Sequence, residues 1–109
     1  MAKHEFGIMA FAPRPGERYD TYEPEKYACI SVDDDALNAA EGRLSTIECY
    51  WHTLAAKEKG LTWCGITLIP PGSLRSCMDA VADFPELCAL KELLEKARKE
   101  GRWVIHYGL

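Results

Sequence analysis

Apolar and polar residues alternate along two stretches in the middle of the chain, Glu48-Cys49-Tyr50-Trp51-His52-Thr53-Leu54 and Leu61-Thr62-Trp63-Cys64-Gly65-Ile66-Thr67-Leu68-Ile69. A period of two sends successive side chains to opposite faces, so both stretches predict β-strands. The polar link 55–60 ends in Gly60 and predicts an antiparallel hairpin between them. Pro70-Pro71-Gly72 stops the second strand, because proline has no N–H for a ladder. Tyr27–Val32 and Trp103–Tyr107 read as further strands, and His4–Phe11 as a weaker one interrupted by Gly7.

Elsewhere the spacing is helical. Leu37, Ala40 and Leu44 give a short apolar face behind Asp33, Asp34 and Asp35, which suit a helix start by opposing its dipole. Leu74, Cys77, Met78 and Val81 predict a helix over about 73–82. Asp83-Phe84-Pro85-Glu86 reads as a capping box for a third helix, with Leu87, Leu90, Leu94 and Ala97 on its apolar stripe. Glu92 to Lys96 and Glu95 to Lys99 are favourable i,i+4 pairs, and Gly101 ends the helix. The order strand, loop, strand, helix, hairpin, helix, helix, strand predicts a single α+β domain over 1–109. It has one mixed or antiparallel sheet of about four to five strands, with two to three helices mainly on one face.

The segment 12–25 has no periodicity. Pro13, Pro15, Gly16 and Pro24 break regular structure, while Tyr19 and Tyr22 call for a surface to pack on. A loop this long inside a small domain is either functional or loosely ordered.

Composition narrows the function. Hydrophobic residues make up 48% of the 109 residues, enough for one core and too many for a disordered chain. No apolar run approaches a membrane span, and the first residues lack a secretory signal, so a cytoplasmic protein is expected. The formal net charge is −4, and the basic stretch Lys91–Arg102 is interrupted by Glu92, Glu95 and Glu100. Neither nucleic acid nor a membrane surface is therefore expected as a partner. The five cysteines have no C-x-x-C spacing, which points to reduced structural thiols and no metal.

Candidate chemistry is sparse. Counted from Asp33, the sixth and twelfth positions are Asn38 and Leu44, so the Asp run is no EF-hand loop and caps a helix instead. Ser31 and Cys29 sit in no nucleophile elbow, and no glycine-rich phosphate cradle occurs, so no cofactor is expected. His52 and His106 lie in predicted strands. Together with Glu48, or a carboxylate of Asp33–Asp35, they are the candidates for an acid–base or metal-dependent hydrolase. His4, close to the first residue, carries less weight.

The remaining feature is aromatic. Tyr27, Tyr50, Trp63, Trp103 and Tyr107, with His52, come from four strands and combine apolar area with polar tips, as recognition surfaces do. The Pro-rich loop, a second copy in a homodimer, or an external partner are the three ways to cover such a face. The leading expectation is a small non-catalytic interaction domain that binds a protein partner or itself through this face. The hydrolase of His52, His106 and Glu48 is the alternative.

Overall fold

The strand Val104–Tyr107 lies in the interior of the sheet, paired on both sides. In the computed structural model, which describes residues 2–109, six strands form one sheet. They are β1 (Lys3–Ile8), β2 (Ile30–Asp33), β3 (Glu48–Trp51), β4 (Lys57–Lys59), β5 (Ile66–Ile69) and β6 (Val104–Tyr107). The order is β2-β1-β6-β5-β3-β4, and every neighbouring pair is antiparallel. The α+β class and the single sheet are as the sequence predicts, with one strand more.

The extra strand comes from the predicted hairpin link. Lys57–Lys59 pairs with β3 through Glu48↔Lys59 and Tyr50↔Lys57, and forms one edge of the sheet. The chain then crosses to the other side of β3, where β5 pairs through Tyr50↔Leu68. β5 starts at Ile66 and not at Leu61. The Thr62 N–H is taken by the Thr67 hydroxyl at 3.0 Å, and the Gly65 N–H by the Thr62 carbonyl at 3.2 Å. Both bonds hold 61–65 in a turn. Tyr27 likewise ends a 3-10 turn (Pro24–Tyr27), and the second strand begins only at Ile30.

Four helices pack on one face: α1 (Asp34–Asn38), α2 (Glu41–Leu44), α3 (Leu74–Val81) and α4 (Cys88–Glu100). The predicted first helix is thus two short pieces. Strand alternation sends Phe6, Val32, Ile69 and Val104 toward them, against Leu74 and Val81 of α3 and Leu90 and Leu94 of α4. Leu90 and Leu94 are 2% and 1% exposed. Each contributes about 1.5–3 kcal/mol by leaving water. Gly101, at φ 65°, ends α4 as predicted, with Arg102 N–H bonding Ala97 O at 2.9 Å and Gly101 N–H bonding Arg98 O at 3.2 Å. The capping box does not form. No side chain among the described residues caps the turn at Pro85, and the Asp83 carboxylate instead meets Arg43 at 2.8 Å.

Candidate functional site

The two faces of the sheet carry different chemistry. On the outer face Met9, Ile66, Leu68, Ile105 and Tyr107 are buried, ringed by the half-buried Tyr19, Tyr27, Tyr50 and Trp103. Tyr50 and Trp103 have ring centroids 5.7 Å apart. Of the predicted aromatic surface, Tyr27, Tyr50, Trp103 and Tyr107 are therefore brought together. Trp63 is not: it packs against the helix-side core.

The segment between β1 and the 3-10 turn crosses this outer face as a strap. Its start is held by Met9 N–H bonding Trp103 O at 2.9 Å, and Pro13 is buried. Tyr19 N–H reaches His52 O at 2.7 Å, and the neighbouring Arg18 bridges to Thr53. Tyr22 then lies edge-on to Tyr107, centroids 5.1 Å apart, and its hydroxyl donates to Glu5. Of the three ways to cover the aromatic face, loop cover is the one this geometry takes.

His52 fastens the strap. Its φ of 63° ends β3, so the predicted strand 48–54 stops at Trp51. The ring Nδ1 lies 2.9 Å from both Tyr19 O and the Asp20 carboxylate, a shared donor position, while Nε2 faces Ile66 N–H at 3.4 Å. The Tyr107 hydroxyl, under the strap, is buried without a hydrogen-bond partner among the described residues. Burial pushes its pKa up to about 12.

Beside the strap lies an open groove of about 560 Å³. Ile8, Met9, Tyr19 and Tyr27 form its apolar part, and Arg14, Glu17 and Lys26 its charged rim. Phe11, 83% exposed, stands at its lip. The strap's tip, Arg14 to Arg18, is exposed and held by a turn in which Glu17 N–H bonds Arg14 O at 3.1 Å. Limited digestion with a glutamate-specific protease is expected to cut first after Glu17. The two pieces should stay together on size exclusion, because bonds to the sheet flank the cut. Separation of the pieces, or an earlier cut elsewhere, would show that the strap is held differently.

The inner face holds a polar chain that the sequence reading missed. His4, His106 and Thr67 are each 0% exposed. His106 Nε2 lies 2.8 Å from His4 Nδ1, and His4 Nε2 lies 2.8 Å from the Asp34 carboxylate. At the other end the Thr67 hydroxyl lies 3.0 Å from His106 Nδ1 and accepts the Thr62 N–H. One proton arrangement satisfies every atom. Thr67 donates to His106, His106 donates to His4, and His4 donates to Asp34. Trp63 closes the site, its indole N–H donating to the same Asp34 oxygen at 2.8 Å and its ring edge-on to His4. Burial, aided by His4, pushes the His106 pKa down to about 3. The bonds from His4 and Trp63 hold the Asp34 carboxyl below its ordinary value.

This arrangement corrects three expectations. His106 pairs with His4, not with His52, which fastens the strap. Glu48 is exposed and meets Lys57 at 3.4 Å. The Asp run does start α1, with Asp33 at the N-cap position and Asp34 and Asp35 in the first turn, but Asp33 makes no side-chain cap and the Asp34 carboxylate goes to His4. The signal for His4 was present: it is two residues from Phe6 on the core-facing set of β1, where a buried imidazole must find partners. No group of three or more His, Cys, Asp or Glu suited to a metal occurs among the described residues. No protein-family model matches the chain, and neither the curated proteins nor the solved structures contain a match to it.

Proposed function

We propose that this chain is a non-catalytic interaction domain that binds a protein partner at the strap side of the sheet, in the groove beside Phe11. The observation that carries this reading is an aromatic side chain 83% exposed at the lip of a groove that runs into the apolar outer-face cluster. An exposed phenyl ring next to a concave apolar wall is an anchor that a partner's apolar side chain would cover. Arg14 and Lys26 against the single Glu17 favour a partner segment with an acidic flank. The aromatic sheet residues first expected to make the contact act here as the support of the strap, with Tyr27 shared between the two.

The hydrolase alternative has less support. A general base must reach its substrate, and the paired imidazoles are sealed at 0% exposure. His52 is engaged at both ring nitrogens. A reducing, cytoplasmic setting suits the five free cysteines, of which Cys29, Cys49 and Cys77 are held protonated by burial. The net charge of −4 argues against nucleic acid. No helix among the described residues is long and apolar enough to cross a membrane.

The test uses a phage library of random peptides selected on the immobilised domain. Selected peptides are expected to combine a large apolar residue with Asp or Glu. Phe11→Asp should weaken their binding about 30-fold, the worth of a 2 kcal/mol aromatic anchor, without changing the melting temperature. No enrichment, or peptides that bind Phe11→Asp equally well, would overturn the reading.

A further inference from the structure

The two edges of the sheet are unlike. At β4 the edge consists of Lys57, Glu58 and Lys59, all exposed. Two copies pairing there antiparallel about Glu58 would set Lys57 against Lys59 and Glu58 against Glu58. Like charges directly opposite are destabilising, so this edge is defended.

The β2 edge, Ile30-Ser31-Val32-Asp33, carries no lysine and no proline. Its free hydrogen-bonding groups follow from ladder parity. Asp34 N–H bonds Ala2 O at 3.1 Å, continuing the register Lys3↔Asp33 and His4↔Val32. In an antiparallel ladder only alternate residues exchange bonds with a given neighbour. Ile30 and Val32 therefore bond to β1, and Ser31 and Asp33 present their groups to the open edge. On β1 the odd positions go to β6, as Met9 N–H to Trp103 O requires, which fits the same parity. The next outward donor, Cys29 N–H, is already bonded to Pro24 O at 3.0 Å. The open pattern is thus confined to Ser31 and Asp33, and Ser31 is exposed.

We propose that a second copy of this chain pairs with β2 across a two-fold axis at Val32, joining two six-stranded sheets. Ser31 of each copy then faces Asp33 of the other, and the Asp33 N–H donates to the Ser31 carbonyl across the axis. The side chains match as well. The serine hydroxyl meets a carboxylate whose charge Lys3, 3.7 Å away, already opposes. Centred on Val32, the strand sets serine against aspartate and keeps the two Asp33 carboxylates off directly opposite positions, so a second copy fits this edge. The contact is small beside the roughly 800 Å² per partner of a standard interface, so the dimer is weak and forms between about 10 µM and 1 mM.

Sedimentation velocity across that range tests it. The wild-type mass is expected to rise from 12.3 kDa toward twice that value. Exchange at the amides of Ser31 and Asp33 should slow as concentration increases. Ser31→Pro removes an N–H that β1 does not use and should remain monomeric throughout, as should Ser31→Lys, which adds a defending charge. If Ser31→Pro does not fold, Ser31→Lys decides. A wild type that stays at 12.3 kDa, variants that associate like the wild type, or exchange at 31 and 33 that ignores concentration would each overturn the proposal. Phe11→Asp should associate normally, which separates this edge from the groove.

Discussion

Replacing His106 with leucine will cost the protein about 2–5 kcal/mol at pH 7, and the loss will shrink as the pH falls. The cost arises because leucine removes two partners at once: His4 Nδ1 is left as a buried acceptor and Thr67 as a buried donor. Each orphan loses about 1–3 kcal/mol of solvation that nothing replaces. The pH dependence has its own sign. In the unfolded chain His106 protonates near 6.5, whereas in the fold it stays neutral down to about 3. The unfolded state therefore binds the extra proton between those values. Wild-type stability from this group is full above about 6.5 and is lost as pH falls toward 3, at roughly 1.4 kcal/mol per unit. Asp34, lowered in the fold, acts in the same direction but further into acid, below the ordinary carboxylate pKa. Leucine does not titrate. Urea denaturation of both proteins at pH 7, 6, 5 and 4 should show the two stability curves converging. Parallel curves would mean that His106 is not a neutral, sealed imidazole.

Gly7→Val will damage the outer face, with an expected loss of about 3 kcal/mol or more and a melting temperature lower by about 10–20 °C. A Cβ at Gly7 would lie 2.6 Å from Tyr27 Cβ, 2.7 Å from Cys29 Sγ and 2.8 Å from Tyr27 O. The segment Pro24–Cys29, which brings the strap back to the sheet, closes on β1 only because no side chain stands there. The valine must push it away, so digestion after Glu25 and Lys26 should accelerate together with the loss of stability. Gly42→Ala is the control. Nothing among the described residues lies within 4 Å of its added Cβ, and it sits inside α2, so the melting temperature should hold or rise. A mild Gly7→Val would show that the returning segment is not packed on β1.

Gly7 also shows where sequence reading runs short. Along the chain it only weakens a strand; in the fold it is the point at which another backbone approaches. The same holds for His4 and Asp34, separated by 30 positions and joined by one bond. Their pairing depends on β1 lying between β2 and β6, and strand order leaves no trace in local periodicity. Alternation puts His52 on a strand face, but its backbone leaves the strand, and its ring Nδ1 bonds to a loop 33 residues earlier.

What local chemistry controls was legible. Readable along the chain were the α+β class, the apolar faces of α3 and α4, the stop at Gly101 and the irregular course of 12–25. Those depend on periods of 2 and 3.6, on proline's missing N–H and on glycine's freedom at positive φ. Tertiary structure alone decided that Lys57–Lys59 becomes an edge strand, that the strap covers the aromatic face, and that His4 and His106 share a sealed chain ending at Asp34. Each of these is a contact between distant segments. Its free energy comes from pairing and burial that exist only once the sheet is ordered, so no window of neighbouring residues contains it.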